Sequence, residues 1–215
     1  MSYGVVAISP TDGSAGEQLG PMVARELGFQ LVNDQIIERA AREAGVSAQA
    51  VADVELRKSV LGRMLDALAE GASGGPASLA GFAPITEPPG PRRDALRGLI
   101  RSVLWETAER GNVVIVAHAA SLALAGHADV LRILITASPE TRARRLAEAK
   151  NLDDAEAQKL VARGDANRSA YLKRFYGVSA ELPTHYDIVI NTDCVAPEDA
   201  ATLILSAARS QRVAA

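Results

Sequence analysis

Five short apolar segments rich in β-branched residues recur along the chain, with helical patterns between most of them. The first reads GVVAIS and shows no alternation of polar and apolar residues, which is typical of a strand buried on both faces of a parallel sheet. Strands that alternate with helices predict a doubly wound α/β fold with a largely parallel sheet. The predicted strands are 4–9, 29–32, 113–118, 130–136 and 186–192.

The predicted helices are 14–27, 33–45, 47–70, 94–110, one within SPETRARRLAEAK at 138–150, a long helical region that follows it to about 176, and a last one from Pro197. Gly28 after the first of them is a common helix C-cap, and Ser-Pro-Glu at 138–140 is a typical helix start. Ligands of open α/β sheets bind beyond the carboxyl ends of the strands. The sequence therefore places a candidate site at 9–16, 117–121 and 191–195.

The stretch 47–93 interrupts the alternation and is predicted as an insertion in a single domain that spans 1–215. Within it, residues 71–92 hold five glycines and five prolines, a composition typical of a loop. The preceding helix, 47–70, carries a stripe of apolar side chains at Val54, Leu61, Met64, Leu65 and Leu68. An exposed apolar stripe usually marks an interface, so the sequence predicts a homodimer through this helix.

Composition excludes several classes of function. With 215 residues, 48% of them hydrophobic, the chain can bury a sizeable core. Aromatic residues make up only 4% and the net charge is −3, which argues against a nucleic-acid binder. The longest apolar stretch, 113–128, is too short to span a membrane, and the first residues lack the basic start of a signal peptide. We therefore expect a soluble, cytoplasmic protein with no membrane partner.

The chain has one cysteine, Cys194, so a disulfide within the chain and a cysteine-rich metal site are both excluded. This usage favours a reducing compartment. We expect Cys194 to be a buried, small apolar side chain.

A glycine-bearing turn, PTDGSAGEQLG, joins the first strand to the first helix at 10–20. Backbone N–H groups at a helix N-terminus bind phosphate in this context. The pattern G-x-x-x-x-G-K-[ST] is absent, however, and Asp12, Ser14 and Glu17 could cap the helix themselves. The residues alone leave two interpretations open, a phosphate-binding loop and a structural turn.

The segment 142–174 is basic, with nine basic and five acidic residues, while the rest of the chain carries a net charge of −7. Arginine side chains bind phosphoryl oxygens in a bidentate way, so this segment could clamp phosphate. The alternative is a solvated helix face with ion pairs one turn apart, such as Asp165 with Arg168.

The sequence ARGDANRSAYLKRFYGVSAELPTHYDIVINT, at 162–192, resembles the C-terminal half of the cytidylate-kinase-like family, a branch of the nucleoside monophosphate kinases. That family carries a D-x-x-R-x-x-Y segment and then a Y-D-[LI]-V-[IL]-N-T strand. The matching residues are Asp165, Arg168, Tyr171, Tyr186, Asp187, Asn191 and Thr192. The loop at 8–16 is similar to the family's I-S-R-x-x-G-S-G-G, and LGFQLVNDQIIERAAREAG, at 27–45, resembles the segment after it. The resemblance covers the chain apart from about 50–92.

The resemblance implies a P-loop nucleoside-monophosphate-kinase-like fold and phosphoryl transfer from ATP, with Mg²⁺, to a pyrimidine nucleoside monophosphate. It implies a lid at 139–176 and an adenine-side segment near 192–197. The residues that it assigns to the phosphate loop are Gly13, Ser14, Ala15, Gly16, Glu17 and Gln18. Those that it assigns to catalysis are Arg142, Arg163, Asp165 and Arg168, and those near the substrate are Asp34 and His118. No protein side chain is assigned to a metal.

The chain departs from the family pattern at several charged positions. The loop lysine of cytidylate kinases falls on Gly16, and the Mg²⁺-binding serine or threonine falls on Gln18. The lysine-free branch has a loop arginine where this chain has Pro10, and a G-R-G where it has 117–119. His118 could donate to phosphate there, or it could pack at the strand end. The alternative function is therefore a catalytically impaired relative that keeps the fold as a weak nucleotide-binding or homo-oligomeric regulatory module.

Overall fold

The computed structural model describes residues 2–33 and 91–210 of the chain. The chain divides into two units, residues 1–31 with 110–215 and residues 32–109. The first unit contains the candidate site. The predicted helices at 33–45 and 47–70, the loop at 71–90 and Asp34 lie outside the described residues.

The described strands form a five-stranded sheet in the order β2-β3-β1-β4-β5. The strands are β1 (Val5–Pro10), β2 (Gln30–Asn33), β3 (Val113–Val116), β4 (Val130–Thr136) and β5 (Ile188–Asn191). β1 pairs in parallel with β3 and β4, and β4 pairs in parallel with β5. Every residue of β1 is buried, as its continuous apolar sequence predicts. The prediction that 4–9 lies in the middle of a parallel sheet is confirmed.

The described helices follow the predicted order, with one addition. They are α1 (Gly16–Leu27), α2 (Pro91–Arg110), α3 (Ala120–Ala123), α4 (Pro139–Lys150), α5 (Asp154–Tyr176) and α6 (Pro197–Arg209). The short helix α3 was not predicted, because a single turn in an apolar stretch has no helical period to detect. A 3₁₀ turn, Pro183–His185, precedes β5.

The helix predicted within 138–150 and the helical region predicted after it are two separate helices, α4 and α5, and local signals explain the break between them. Ser138 caps α4 by accepting a hydrogen bond from the N–H of Thr141 at 3.3 Å. Asn151 ends α4 in the left-handed conformation, with φ 53°. Asp153 and Glu156 then form a capping box that starts α5.

The core lies on both faces of the sheet in the first unit. Its fully buried large side chains include Ile8, Leu19, Val23, Val114, Ile133 and Ile204. A smaller cluster of Ala143, Ala157 and Val161 joins α4 to α5. The two helices of the basic segment are therefore held together by their own apolar contacts.

The structure also bears on the burial of the cysteine and on membrane-spanning helices. Cys194 is exposed, so the expectation of a buried cysteine was wrong. Among the described helices, none is long and apolar enough to cross a membrane.

Candidate functional site

The turn after β1 folds tightly at the carboxyl edge of the sheet. The N–H of Thr11 donates to the carbonyl of Ile135 at 2.9 Å, and the N–H of Ser14 donates to the carbonyl of Thr11 at 3.0 Å. Gly13 and Ala15 both have positive φ, 77° and 63°. The chain then enters α1, in which the N–H of Gln18 donates to the carbonyl of Ala15 at 3.2 Å. The N–H groups of Gly16 and Glu17, at the first two helical positions, have no carbonyl one turn earlier to bond within the helix. The result is the geometry that a helix needs to bind an anion at its N-terminus.

No side chain caps α1. Its N-cap is Ala15, which offers no side-chain acceptor. Ser14 is fully buried, and its Oγ has no hydrogen-bond partner. Of the two interpretations left open, the one in which Asp12, Ser14 or Glu17 caps this helix is not observed as a side-chain hydrogen bond, although Glu17 lies in the first turn, where its charge complements the helix dipole. A buried hydroxyl without a partner costs about 1–3 kcal/mol, and such groups in native proteins commonly mark a place for water, an ion or a ligand.

Gly16 has no room for a side chain. A Cβ atom at this position would lie 2.5 Å from Cβ of Pro10 and 3.2 Å from Cβ of Ile135. Real Cβ atoms do not approach so closely, so one of the neighbours would have to move. The loop lysine of the related kinases is thus excluded from this backbone by the proline at the end of β1.

Arg142, one of the predicted lid residues, lies beside the loop. Its side chain is 5% exposed and makes a bidentate pair with Asp165, at 2.8 and 2.6 Å. Nη1 also lies 3.4 Å from the carbonyl oxygen of Asp12, while Nε is buried without a partner. The pair of Asp165 with Arg168, which the alternative interpretation of the basic segment contained, is not the one observed, because Asp165 pairs with Arg142 of α4 and Arg168 with Glu181.

Arg168 is almost fully paired. Nε and Nη2 donate to the two carboxylate oxygens of Glu181 at 2.9 and 2.6 Å. Nη1 donates to the carbonyls of Pro10 at 3.2 Å and His118 at 2.6 Å. The hydroxyl of Tyr186 donates to the same glutamate. Burial of the guanidinium lowers the pKa of Arg168. The hydrogen bonds and the charge of Glu181 act in the opposite direction, and the net effect raises this pKa above its ordinary value.

His118 lies beside the loop and pairs with Asp12. Its Nε2 is 2.9 Å from Oδ1 of Asp12, and its side chain is 43% exposed, so it is not packed away at the strand end. The hydrogen bond from His118 lowers the pKa of Asp12, although burial acts in the opposite direction. Asp12 is therefore held as a carboxylate at the loop.

Arg163 is not brought to this cluster. It is exposed on α5, and it stands five residues before Arg168. Five residues are about 140° of rotation around a helix, so the two side chains leave α5 in different directions.

Arg145 was missed as a site residue by reasoning from the sequence. Its guanidinium donates to the hydroxyl and carbonyl oxygens of Thr192, at 2.9 and 2.8 Å, and lies 3.4 Å from the carbonyl of Gly13. The Thr192 hydroxyl also lies 2.9 Å from the carbonyl of Ser14. Arg145 therefore joins the loop to the end of β5. The signal was available, because Arg142 and Arg145 are one helical turn apart.

A family model described as the cytidylate kinase-like family matches residues 5–194. The chain belongs to that family. This cytidylate kinase-like protein is 27% identical to a cytidylate kinase from Ignicoccus hospitalis over 195 residues, which cover 90% of this chain and 92% of the relative. A cytidylate kinase from Pyrobaculum arsenaticum is 36% identical over 97 residues, 44% of this chain and 51% of that one.

Solved structures support the same fold for this cytidylate kinase-like protein. An uncharacterized protein from Eubacterium ventriosum matches with a TM-score of 0.59 at 16% identity, covering 94% of this chain and 96% of that one. Shikimate kinase from Bacteroides thetaiotaomicron matches with a TM-score of 0.50 at 15% identity, covering 94% of each chain. The predicted P-loop kinase-like fold is confirmed.

Within this cytidylate kinase-like protein, a cavity of about 250 Å³ opens beside the loop. It is smaller than the roughly 300–1,000 Å³ of most small-molecule pockets, so it suits phosphoryl groups better than a whole nucleotide. Its polar lining includes Thr11, Thr136, Arg142, Asp165, Arg168 and Glu181.

Proposed function

We propose that this protein is a nucleotide kinase that transfers a phosphoryl group from ATP to a pyrimidine nucleoside monophosphate. The observation that carries the proposal is the loop after β1, where the fully buried Oγ of Ser14 has no partner at the N-terminus of α1. Family membership supports the reaction class. The pyrimidine acceptor rests on the cytidylate kinase relatives.

The loop residues Gly13 to Gln18 are proposed to hold the ATP phosphates through their backbone N–H groups. Arg142 is proposed to supply the cation that the lysine supplies elsewhere, because its fork is beside the loop and its Nε has no partner. A carboxylate and a phosphoryl group present similar pairs of oxygens to an arginine fork. Asp165 would then give up Arg142 to the nucleotide; its side chain is 44% exposed and can turn to solvent.

The remaining assignments follow the resemblance. His118 and Asp34 are proposed to contact the acceptor, and Arg163 and Arg168 to belong to the lid. Phosphoryl transfer needs little covalent chemistry from the protein, so these residues would act by position and charge.

ATP fits the described residues, since its phosphates would satisfy the unpartnered atoms of Ser14 and Arg142. The described residues offer no comparable set of side-chain ligands for Mg²⁺. Gln18 replaces the usual hydroxyl, Asp12 is committed to His118, and the described residues contain no group of three or more acidic, histidine or cysteine side chains placed to hold a metal. We therefore assign no residue to Mg²⁺, and it enters the experiment below only as the counterion of ATP.

The test of this proposal is ADP formation from ATP–Mg²⁺ with a panel of CMP, UMP, AMP and GMP. We expect kcat/KM for CMP or UMP to exceed that for either purine at least tenfold. Arg144→Ala is the matched control for Arg142→Ala, because Arg144 is exposed on the same helix. Only Arg142→Ala should lower the rate. Nucleotide binding without turnover for any acceptor would refute the kinase proposal and support a regulatory module.

The homodimer is a separate proposal. It rests on the apolar stripe of the 47–70 helix, which lies outside the described residues. Light scattering at tens of micromolar should give twice the chain mass of 22.5 kDa. A Leu61→Glu, Leu68→Glu variant should be monomeric, and a monomeric wild-type protein would contradict the proposal.

A further inference from the structure

The hydrogen bonds of Arg168 point to a structural role for Arg168 and Glu181 that the family resemblance does not include. Four of the five N–H groups of the Arg168 guanidinium have acceptors, and the side chain is only 8% exposed. A guanidinium group whose N–H donors already have acceptors on both edges cannot bind a phosphoryl group without breaking existing hydrogen bonds. Arg142 is also paired with a carboxylate, but it differs in two respects. Its partner Asp165 is 44% exposed, against 20% for Glu181, and its Nε has no hydrogen-bond partner.

Glu181 holds two nitrogen atoms of the Arg168 guanidinium, and the third donates to backbone carbonyls. Its two oxygens receive Nε and Nη2, and the hydroxyl of Tyr186 donates to it as well. Tyr186 is 6% exposed, so the carboxylate has a rigid neighbour. Burial works to raise the pKa of Glu181, but the hydrogen bond and charge of Arg168 lower it below the ordinary value. The carboxylate is therefore charged and held in one place.

On its other side, the fork holds two backbone carbonyls. Pro10 is the last residue of β1, immediately before the phosphate loop, and His118 is two residues beyond β3. One nitrogen atom, Nη1, donates to both carbonyls, so it sets the distance between the start of the loop and the end of the neighbouring strand. The Asp12–His118 pair spans the same two segments.

We propose that Glu181 is a positioning residue, which acts through Arg168 to hold the phosphate loop and the end of β3 at the separation that phosphoryl transfer needs. Tyr186 supports the carboxylate. Arg168 also lines the cavity beside the loop, but Glu181 and the two carbonyls occupy its donors, so the phosphoryl contact belongs to Arg142. This inference rests on the proposed kinase function for its kinetic consequence, although the structural part is independent of any nucleotide.

The structural part is tested by hydrogen exchange without nucleotide, on Glu181→Gln. The amide replaces the charge with little change in volume. We expect amides at 11–18 and 118–122 to exchange at least tenfold faster than in wild type, while those of β4 stay unchanged. Glu148→Gln is the matched control, because Glu148 is an exposed carboxylate on α4, and it should leave all segments unchanged. A uniform increase over the whole chain, or no increase at 11–18, would overturn the proposal.

The kinetic part uses the same variants with ATP–Mg²⁺ and CMP. We expect Glu181→Gln to lower kcat at least tenfold with KM changed less than about threefold, since misplacement harms the transition state more than binding. If Glu181 acts only through Arg168, adding Glu181→Gln to Arg168→Gln should change nothing further. Independent, multiplying effects would overturn the proposal.

Tyr186→Phe covers the case in which Glu181→Gln does not fold, because it leaves the Arg168–Glu181 pair in place. We expect about threefold faster exchange at 11–18 in this variant, and no change there would count against the proposal. A wild-type protein without any phosphoryl transfer would refute the kinase function, yet the exchange result would still decide whether Glu181 holds the loop.

Discussion

Ala15 is the residue at which the phosphate loop carries the clearest backbone strain. Among the described residues, three that are not glycine have positive φ, namely Ala15, Asn112 and Asn151. Asparagine tolerates the left-handed region because its side chain can bond locally, but alanine gains nothing there. The similar loops of the family have glycine at this position. The chain therefore stores strain at the residue that turns the loop into α1.

Ala15→Gly should stabilise the protein by about 1 kcal/mol, because the cost of the left-handed conformation, about 1–2 kcal/mol, exceeds the added entropy of the unfolded chain. Urea unfolding measures this difference. Ala162→Gly, at an exposed position inside α5, is the control of opposite sign and should destabilise by about 1 kcal/mol. A loss of stability in both variants would contradict the strain at Ala15.

Arg142→Lys should weaken ATP binding about tenfold, because lysine keeps the charge but loses the fork that faces the loop. Isothermal titration measures the dissociation constant. Arg144→Lys makes the same chemical change on the exposed side of α4 and should leave binding unaltered. Equal dissociation constants for Arg142→Lys and wild type would show that Arg142 does not contact the nucleotide.

At the scale of elements, the connection between α5 and β5 is held by charge. Residues 177–187 contain one short 3₁₀ turn, and Glu181 within them pairs with Arg168 of α5. Arg168 lowers the pKa of Glu181 although burial raises it. In the range between the lowered folded pKa and the ordinary value of about 4.3, the unfolded chain binds more protons than the folded one. The stability supplied by Glu181 is therefore present above this range and is lost as the pH falls through it.

Urea unfolding of wild type and Glu181→Gln between pH 7 and pH 3 tests this sign. The difference in unfolding free energy between them should be constant from pH 7 to about pH 5 and should shrink as the pH falls below about 4. Comparing the two proteins removes the contribution of Asp12, which titrates in both. A difference that stays unchanged down to pH 3 would contradict an ionised, paired Glu181.

Local patterns were sufficient to predict most of the described elements, although not the single turn of α3, and they were insufficient to predict the ion pairs. The apolar run of β1 and the Ser138 cap of α4 each specify their structure within a few residues. The partners of Arg142 and Arg168 are set by how α4, α5 and the 177–187 segment pack, so helical spacing alone suggested a different pair. The buried hydroxyl of Ser14 likewise depends on tertiary packing, and the sequence gives no sign of it.

At the scale of the whole molecule, the basic segment 142–174 is less available to phosphate than its charge suggests. Two of its buried arginines are already paired with acidic side chains, and Arg163 is exposed on α5. The loop itself has no lysine, and Gly16 has no space for one beside Pro10. The site therefore offers few cations to a polyphosphate. We expect weak nucleotide binding by a chain that nevertheless keeps the loop in shape.

Thermal melting measures this weakness. A ligand at 100 times its dissociation constant stabilises by about 2.7 kcal/mol, which is about 5–10 °C for a chain of this size. With a dissociation constant near millimolar, 1 mM ATP–Mg²⁺ should therefore raise the melting temperature by only about 1–2 °C. Gln18→Thr, which restores a hydroxyl without crowding Pro10, should increase the shift. A wild-type shift of about 10 °C would show that tight binding needs neither the lysine nor the hydroxyl.

The most direct test of the kinase proposal is the fate of the γ-phosphoryl group. Wild-type protein, in excess over ATP labelled at that position, is mixed with CMP and Mg²⁺, and the products are separated. We predict that the label appears in CDP and that Arg142→Ala slows its appearance at least tenfold, while Arg144→Ala does not. Label that stays in ATP, or that is released only as inorganic phosphate, would contradict phosphoryl transfer to the nucleotide.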